Sequence, residues 1–141
     1  MIKVLLTAWM VLGLTVTGWC GVFKDNGNFT VTDLATGRTW QQRDDNVTRN
    51  WDDAVSYCQG LSLGGSGDWR LPDIKELRSI IDGRVSYLAI DTDVFPGTNS
   101  GPYWSATTFA PNSGYAWSVS LNGGTTSFPH KSFPYYVRCV R

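Results

Sequence analysis

Two cysteines bound what this chain can fold into. Cys58 closes the run Trp51-Asp52-Asp53-Ala54-Val55-Ser56-Tyr57-Cys58, and Cys139 lies third from the C-terminus in Tyr136-Val137-Arg138-Cys139-Val140-Arg141. Trp51, Ala54 and Cys58 fall three and four apart, so they line one stripe of a helix. Tyr135 to Cys139 alternates and predicts a strand. A bond between these cysteines would tie an early helix to the last strand and place nearly the whole domain inside one loop. Whether they pair depends on the compartment the chain reaches.

The first residues bear on that. Met1-Ile2-Lys3 is followed by an apolar block from Val4 to Leu14 and by Thr15-Val16-Thr17-Gly18. This is the layout of a secretory signal over residues 1–18, with cleavage near residues 18–21 and a domain over 22–141. The apolar block is short against the roughly 20 residues of a membrane span, so no span is expected in the mature chain, an uncleaved anchor being the alternative. Cys20 invites a lipoprotein reading, but Trp19 stands where such signals carry a small residue. Export favours a Cys58–Cys139 disulfide, with three separate buried thiols as the alternative and Cys20 as the odd cysteine. Closing a loop of about 80 residues stabilises a fold by roughly 4–5 kcal/mol on the chain-entropy account.

The 141 residues carry seven Trp, six Tyr, six Phe and fifteen Gly, and twelve basic residues balance twelve acidic ones. Without Lys3 the balance is eleven against twelve. There is no basic stripe, so a nucleic-acid partner has no electrostatic support. Asn26-Gly27 is a turn signal, and Phe29–Thr32 and Arg38–Gln41 predict an N-terminal hairpin around Asp33–Gly37. Asn50 predicts the cap of a first helix ending near Gly60. A second helix fits Asp73 to Asp82, with Pro72 at its first position and Gly83 as its stop. Val85 to Pro102 reads as loop. Strands are expected at Tyr103–Thr107, Tyr115–Leu121, Thr125–Phe128 and Tyr135–Val140, with Asn122-Gly123-Gly124 as a hairpin turn. The order predicts an α+β fold, two helices packed on short antiparallel sheets.

Four segments resemble the Lcl C-terminal domain family, and with the Trp51-to-Cys58 helix they resemble the C-type lectin-like fold. They are Val31-Thr32-Asp33 through Gly37 and Trp40, Gly67-Asp68-Trp69-Arg70-Leu71-Pro72 with Glu76-Leu77, Tyr103-Trp104-Ser105, and Tyr136 to Arg141. The resemblance spans about residues 22–141. It implies a bacterial, secreted, periplasmic or surface-exposed binding module. A founding member is the C-terminal domain of a collagen-like adhesin that binds sulfated glycosaminoglycans. This chain departs from it in having no Gly-x-y stalk and no basic surplus. Related lectin-like domains form ligand-binding tips.

The residues suggest binding rather than catalysis. The Glu-Pro-Asn, Gln-Pro-Asp and Trp-Asn-Asp tripeptides of calcium-holding lectins do not occur; Asp91 and Asp93 are the only weak calcium candidates, and no other cofactor is expected. In Trp69-Arg70-Leu71-Pro72-x-x-x-Glu76, packing plus an Arg70 ion pair accounts for the residue types, and Trp40 and Trp51 read as core. His130, the single histidine, lacks a cluster of ligands or a nucleophile beside it. No catalytic motif appears, so no enzyme is expected; a redox or hydrolytic enzyme is a minor alternative, since a related fold hosts formylglycine-generating oxidases with reactive cysteines. On the Tyr115–Asn122 strand, Trp117, Val119 and Leu121 are expected to face the core, leaving Ala116, Ser118, Ser120 and Asn122 as a polar surface. With the loop Phe128-Pro129-His130-Lys131-Ser132-Phe133-Pro134-Tyr135, this predicts a ligand surface of Tyr115, Ser118, Ser120, Asn122, Thr126, Phe128, His130, Phe133 and Tyr135. The expected ligand is an extracellular glycan or protein; the alternative is an adhesin tip or phage receptor-binding component within a larger assembly.

Overall fold

The computed structural model describes residues 23–141. The expected signal, its cleavage near residues 18–21, Cys20 and the domain start at residue 22 lie outside the described residues. Eight elements follow in order: β1 (Phe23–Asp25), β2 (Thr30–Asp33), β3 (Thr39–Gln41), α1 (Trp51–Gly60), α2 (Ile74–Ser79), β4 (Pro102–Thr108), β5 (Ala116–Ser120) and β6 (Thr126–Ser127). They form two three-stranded antiparallel sheets, β1-β2-β3 and β4-β5-β6, with the two helices between them in sequence, an α+β fold.

The expected N-terminal hairpin is β2–β3, and β1 adds a third strand to it. Gly27, at φ +71°, makes the β1–β2 turn, and Asn26 N donates to Thr30 O at 3.0 Å. In the β2–β3 turn the buried Asp33 carboxylate accepts from Ala35 N at 2.9 Å and from the Thr36 hydroxyl at 2.8 Å, satisfying donors a tight turn would otherwise strand.

Helix α1 starts where expected, with the Asn50 side chain accepting from Asp53 N. Helix α2 is shorter than expected. Asp73 is its cap, in a capping box with Glu76, so Pro72 precedes the cap instead of occupying the first helical position. The helix ends at Ser79 because the Asp82 amide donates to Ala89 O at 2.8 Å, while the Asp82 carboxylate accepts from Arg84 N at 3.0 Å. Both bonds belong to the following loop, and the helical ladder loses them. As expected, 85–101 carries neither helix nor strand, and the Asn122–Gly124 turn closes on a bond from Ser120 N to Thr125 O.

The C-terminal segment differs from the single strand predicted at Tyr135–Val140. Tyr136 O accepts from Trp104 N and Tyr136 N donates to Pro102 O, both at 3.0 Å, while Arg141 exchanges two 2.9 Å bonds with Thr39, and Val140 two with Arg70. Tyr136 thus bonds to β4, Cys139 and Arg141 to β3, and Val140 to Arg70 in the loop between the helices, so no continuous ladder forms; the segment passes from one sheet to the other. Cys139, within this seam, is bonded to Cys58 of α1, with Cα atoms 5.5 Å apart at a sequence separation of 81.

Two apolar clusters result. One joins Trp40 and Val31 of the first sheet to Leu77 of α2 and Ile80 at its C-terminal cap, and to Val119 and Leu121. The other surrounds the disulfide with Ala54, Trp69, Leu71, Trp104, Ala116 and Val137. Arg138 is buried between the sheets and donates to Gln41 O, Gln42 O and Thr98 Oγ1 at 2.8, 2.6 and 2.8 Å. Asp44, 3.6 Å from that guanidinium, also accepts from the Tyr103 hydroxyl; burial pushes the Tyr103 phenol well above its ordinary range.

Candidate ligand-binding surface

The second sheet gathers the expected ligand residues, but its faces differ from the expectation. Ser118 pairs with Ser127, and the same register continues past β6 to a Tyr115–His130 bridge. Side chains alternate along both strands, so Val119, Trp117 and Tyr115 share one face with Thr126, Phe128 and His130. Ala116 and Ser118 share the other face with Ser127 and Lys131.

At Ala116 and Ser118 that second face is not the exposed polar surface anticipated, although Ser127 and Asn122 are exposed. Ala116 is buried in the disulfide cluster, and Ser118 is 0% exposed, its hydroxyl 3.0 Å from that of Ser127. Lys131 reaches across the same side, donating to Thr108 Oγ1 at 3.0 Å with its ammonium 3.8 Å from the centre of the Trp51 ring. Helix α1, brought close by the disulfide, covers what would otherwise be a solvent face. Trp51 is accordingly half-buried, and its indole N–H donates to Ser105 O at 2.9 Å.

The first face is core only at one end. Val119 and Leu121 are buried in the cluster containing Leu77 and Ile80. Trp117, expected there too, is half-exposed. It stands edge-on to Phe109 and Phe128, with centroids 5.5 and 5.2 Å away, while Phe109 and Phe128 stack on each other at 4.1 Å with planes 3° apart. Tyr115 and His130 add an edge-on pair at 5.3 Å. Five rings thus occupy one uncovered end of the sheet. Phe128 is 46% exposed.

The register of β4 explains why Phe109 joins them. Between Trp104, opposite Ser118, and Thr108, opposite Ala116, β4 carries extra residues and bulges. There the backbone turns to other partners: Ala106 N donates to Pro72 O at 2.7 Å, and Thr107 Oγ1 accepts from Ile74 N at 3.0 Å. Phe109 N then returns to Tyr115 O at 2.9 Å, setting its ring beside Trp117. Phe109 was missed in the sequence although a signal existed: it precedes the Pro111–Gly114 turn as Trp117 follows it, so a hairpin closed there brings them together.

The remaining expected residues fall outside this group. Ser120 and Asn122 sit at the far end of β5, roughly 20 Å along the strand from Tyr115, and bond each other through Asn122 N and Ser120 Oγ at 3.3 Å. Thr126 lies opposite Val119. Phe133, 50% exposed, meets Tyr135 edge-on at 6.4 Å, and Tyr135 packs on Trp104 at 4.7 Å. Desolvation holds the Tyr135 phenol above its ordinary value.

Other candidates resolve into local structure. Asp91 accepts from Asp93 N at 3.0 Å, a turn bond, and among the described residues no three His, Cys, Asp or Glu side chains stand together as a metal site. His130 Nδ1 is 2.8 Å from Ser132 Oγ and accepts from Ser132 N at 3.2 Å, so it braces its own loop. Arg70 pairs with Glu76 through bonds of 2.7 and 2.8 Å, and Arg38 donates to the same carboxylate. The Arg70 bonds, with the Asp73 amide and Arg38 adding to them, hold the Glu76 carboxyl at about 2. Trp69 and Leu71 are buried beside this pair, as the packing account expects. On the α1 side of the sheet, Trp51, Val55, Leu71 and Ala106 line a groove of about 290 Å³.

The disulfide fits an oxidising, extracytoplasmic compartment. Among the described residues, no helix is long and apolar enough to cross a membrane. No curated protein matches the chain. The sequence model of the Lcl C-terminal domain family matches residues 29–141, from the tip of the β1–β2 turn through the last residue of the C-terminal seam, and the chain belongs to that family.

Proposed function

We propose that this protein is a non-catalytic recognition module, acting outside the cytoplasm in a C-type lectin-like architecture, and that it binds a glycan on the ring-bearing end of its second sheet. The observation that carries the reading is the uncovered face of Phe109, Tyr115, Trp117, Phe128 and His130. Rings left at a surface rimmed by amide and hydroxyl groups are what pyranose C–H faces stack on, and a contiguous exposed apolar patch on a small domain marks a contact site. The lectin-like architecture is supported by the seam joining both sheets near Thr39 and Arg141, the disulfide from α1 to that seam, and the loop-rich 80–101 segment. Secretion is supported by the expected signal and by the disulfide.

A glycan array probed with the exported chain tests this. Specific binding that Phe128→Ala and Trp117→Ala abolish, while both variants still unfold cooperatively with only a few degrees' loss in thermal midpoint, upholds the site. Binding that survives both substitutions overturns it.

A further inference from the structure

From Val94 to Pro129 the chain contains no Asp, Glu, Lys, Arg or His. That stretch comprises all of β4, β5 and β6 and four of the five rings. The only lysine or arginine in the adjoining loop is Lys131, and its ammonium is spent on the opposite side, on Thr108 and the Trp51 ring. Polar groups are nonetheless present at the edge of the rings. The turn before β5 brings Asn112, and the Tyr115–His130 bridge brings His130, beside Gly114: a Cβ built on Gly114 would lie 3.3 Å from Asn112 Oδ1 and 3.6 Å from His130 Nε2. His130 Nδ1 is used within its loop, which leaves Nε2 free for a ligand, while Asn112 Oδ1 accepts from Gly114 N at 3.0 Å and leaves its amide N–H groups free. The Tyr115 hydroxyl, on the same face, makes no hydrogen bond within the described residues.

Resting on the glycan-binding reading, we infer that the ligand is an electrically neutral saccharide chain, stacked on Trp117 and Phe128, with its hydroxyls reaching Asn112, Tyr115 and His130 over Gly114, and held without a bridging cation. A sulfated or uronate polymer needs cations to repay the water its anions lose, and none stands on this face between β4 and the end of β6. A calcium-bridged sugar needs carboxylates, and the same stretch supplies none. Neutral hydroxyls need aromatic faces and unspent amide, imidazole and phenol groups, which this face has. Gly114 does not have a positive φ, so its missing side chain serves the opening above it and not the backbone.

Titration calorimetry of the exported chain against neutral gluco-, manno-, galacto- and N-acetylglucosamine oligomers, and against uronate- and sulfate-bearing counterparts, tests the inference. Neutral oligomers are expected to bind, with affinity changing less than about twofold between about 0.05 and about 0.5 M NaCl and unchanged by a chelator. Gly114→Ala is expected to weaken binding about tenfold at an unchanged thermal midpoint. Binding confined to charged oligomers, or lost in high salt or chelator, overturns the inference and leaves the glycan-binding reading standing. Failure of every oligomer to bind overturns the reading itself, and the inference with it.

Discussion

The β5–β6 hairpin treats a single face in two ways. At its inner end, Val119 and Leu121 are sealed in the cluster with Leu77 and Ile80. At its outer end, two and four residues before Val119, Trp117 and Tyr115 stand half-open with Phe128 and His130 across from them. The alternation is unbroken between the two ends, so the difference does not come from the strand. It comes from α2, whose six residues extend roughly 9 Å at the usual helical rise. A strand from Tyr115 to Leu121 is roughly twice that length. The uncovered remainder is where large rings are left facing water, and so where a ligand has something to bury.

Four substitutions or conditions test this contrast. The largest effect is expected from Leu121→Ala at the sealed end, where denaturant unfolding should give a loss of about 3 kcal/mol; a loss below about 1 kcal/mol would mean the inner end is not the core described. Next comes acidification, which acts on the helix that makes the difference. The Glu76 carboxyl lies at about 2 when folded against 4.5 in its ordinary state, and its largest support is Arg70. A carboxyl whose folded value is depressed contributes stability that is complete above pH 4.5 and drains away as pH falls toward 2. With Arg70 and Arg38 partly in solvent, that contribution is about 2 kcal/mol, and Glu76→Gln should flatten the corresponding limb of the stability–pH curve. A wild-type limb that matches the variant's would remove Glu76 from the account.

Trp117→Ala sharpens the contrast directly. A core tryptophan costs about 3–5 kcal/mol when truncated, whereas a half-open one on this face should cost about 1 kcal/mol while abolishing ligand binding. A core-sized loss would erase the distinction between the two ends. The smallest effect is expected from Ser118→Ala, about 0.5–1 kcal/mol for its hydroxyl pair with Ser127, with affinity unchanged because Ser118 is enclosed. Loss of binding there would return the site to the face now covered by α1.

Much of the fold was legible in the residues themselves. Asn50 as a cap, Asn26-Gly27 and Asn122-Gly123-Gly124 as turns, and the pairing partners Cys58 and Cys139 are local or compositional signals that tertiary packing left intact. The α2 boundary was less so, since Ile80 and Ile81 continue the helical period and only the bond from Asp82 N to Ala89 O draws the chain away. The candidate site was legible as a region and misread in its faces. Phe128, His130 and Tyr115 lie on the open side of the hairpin, whereas Ser118, polar, is enclosed and Trp117, apolar, is half-open, because polarity alone does not say which stretch of a face is covered. Phe109 went unnoticed because a bulge in β4, invisible to a period-two pattern, carries it alongside Trp117.

By itself the sequence determined which side chains share a face, where helices and turns begin, and that two cysteines were available to close the domain. Those properties follow from backbone geometry and nearest neighbours. Only the tertiary structure decided which stretch of each face is covered, because coverage depends on where a helix from elsewhere in the chain starts and stops. It also decided that the last segment serves both sheets, since its hydrogen-bond groups take whichever unpaired strand lies beside them. The exposed rings are the consequence of both: the sequence put them on one face, and a short helix left that end of it open.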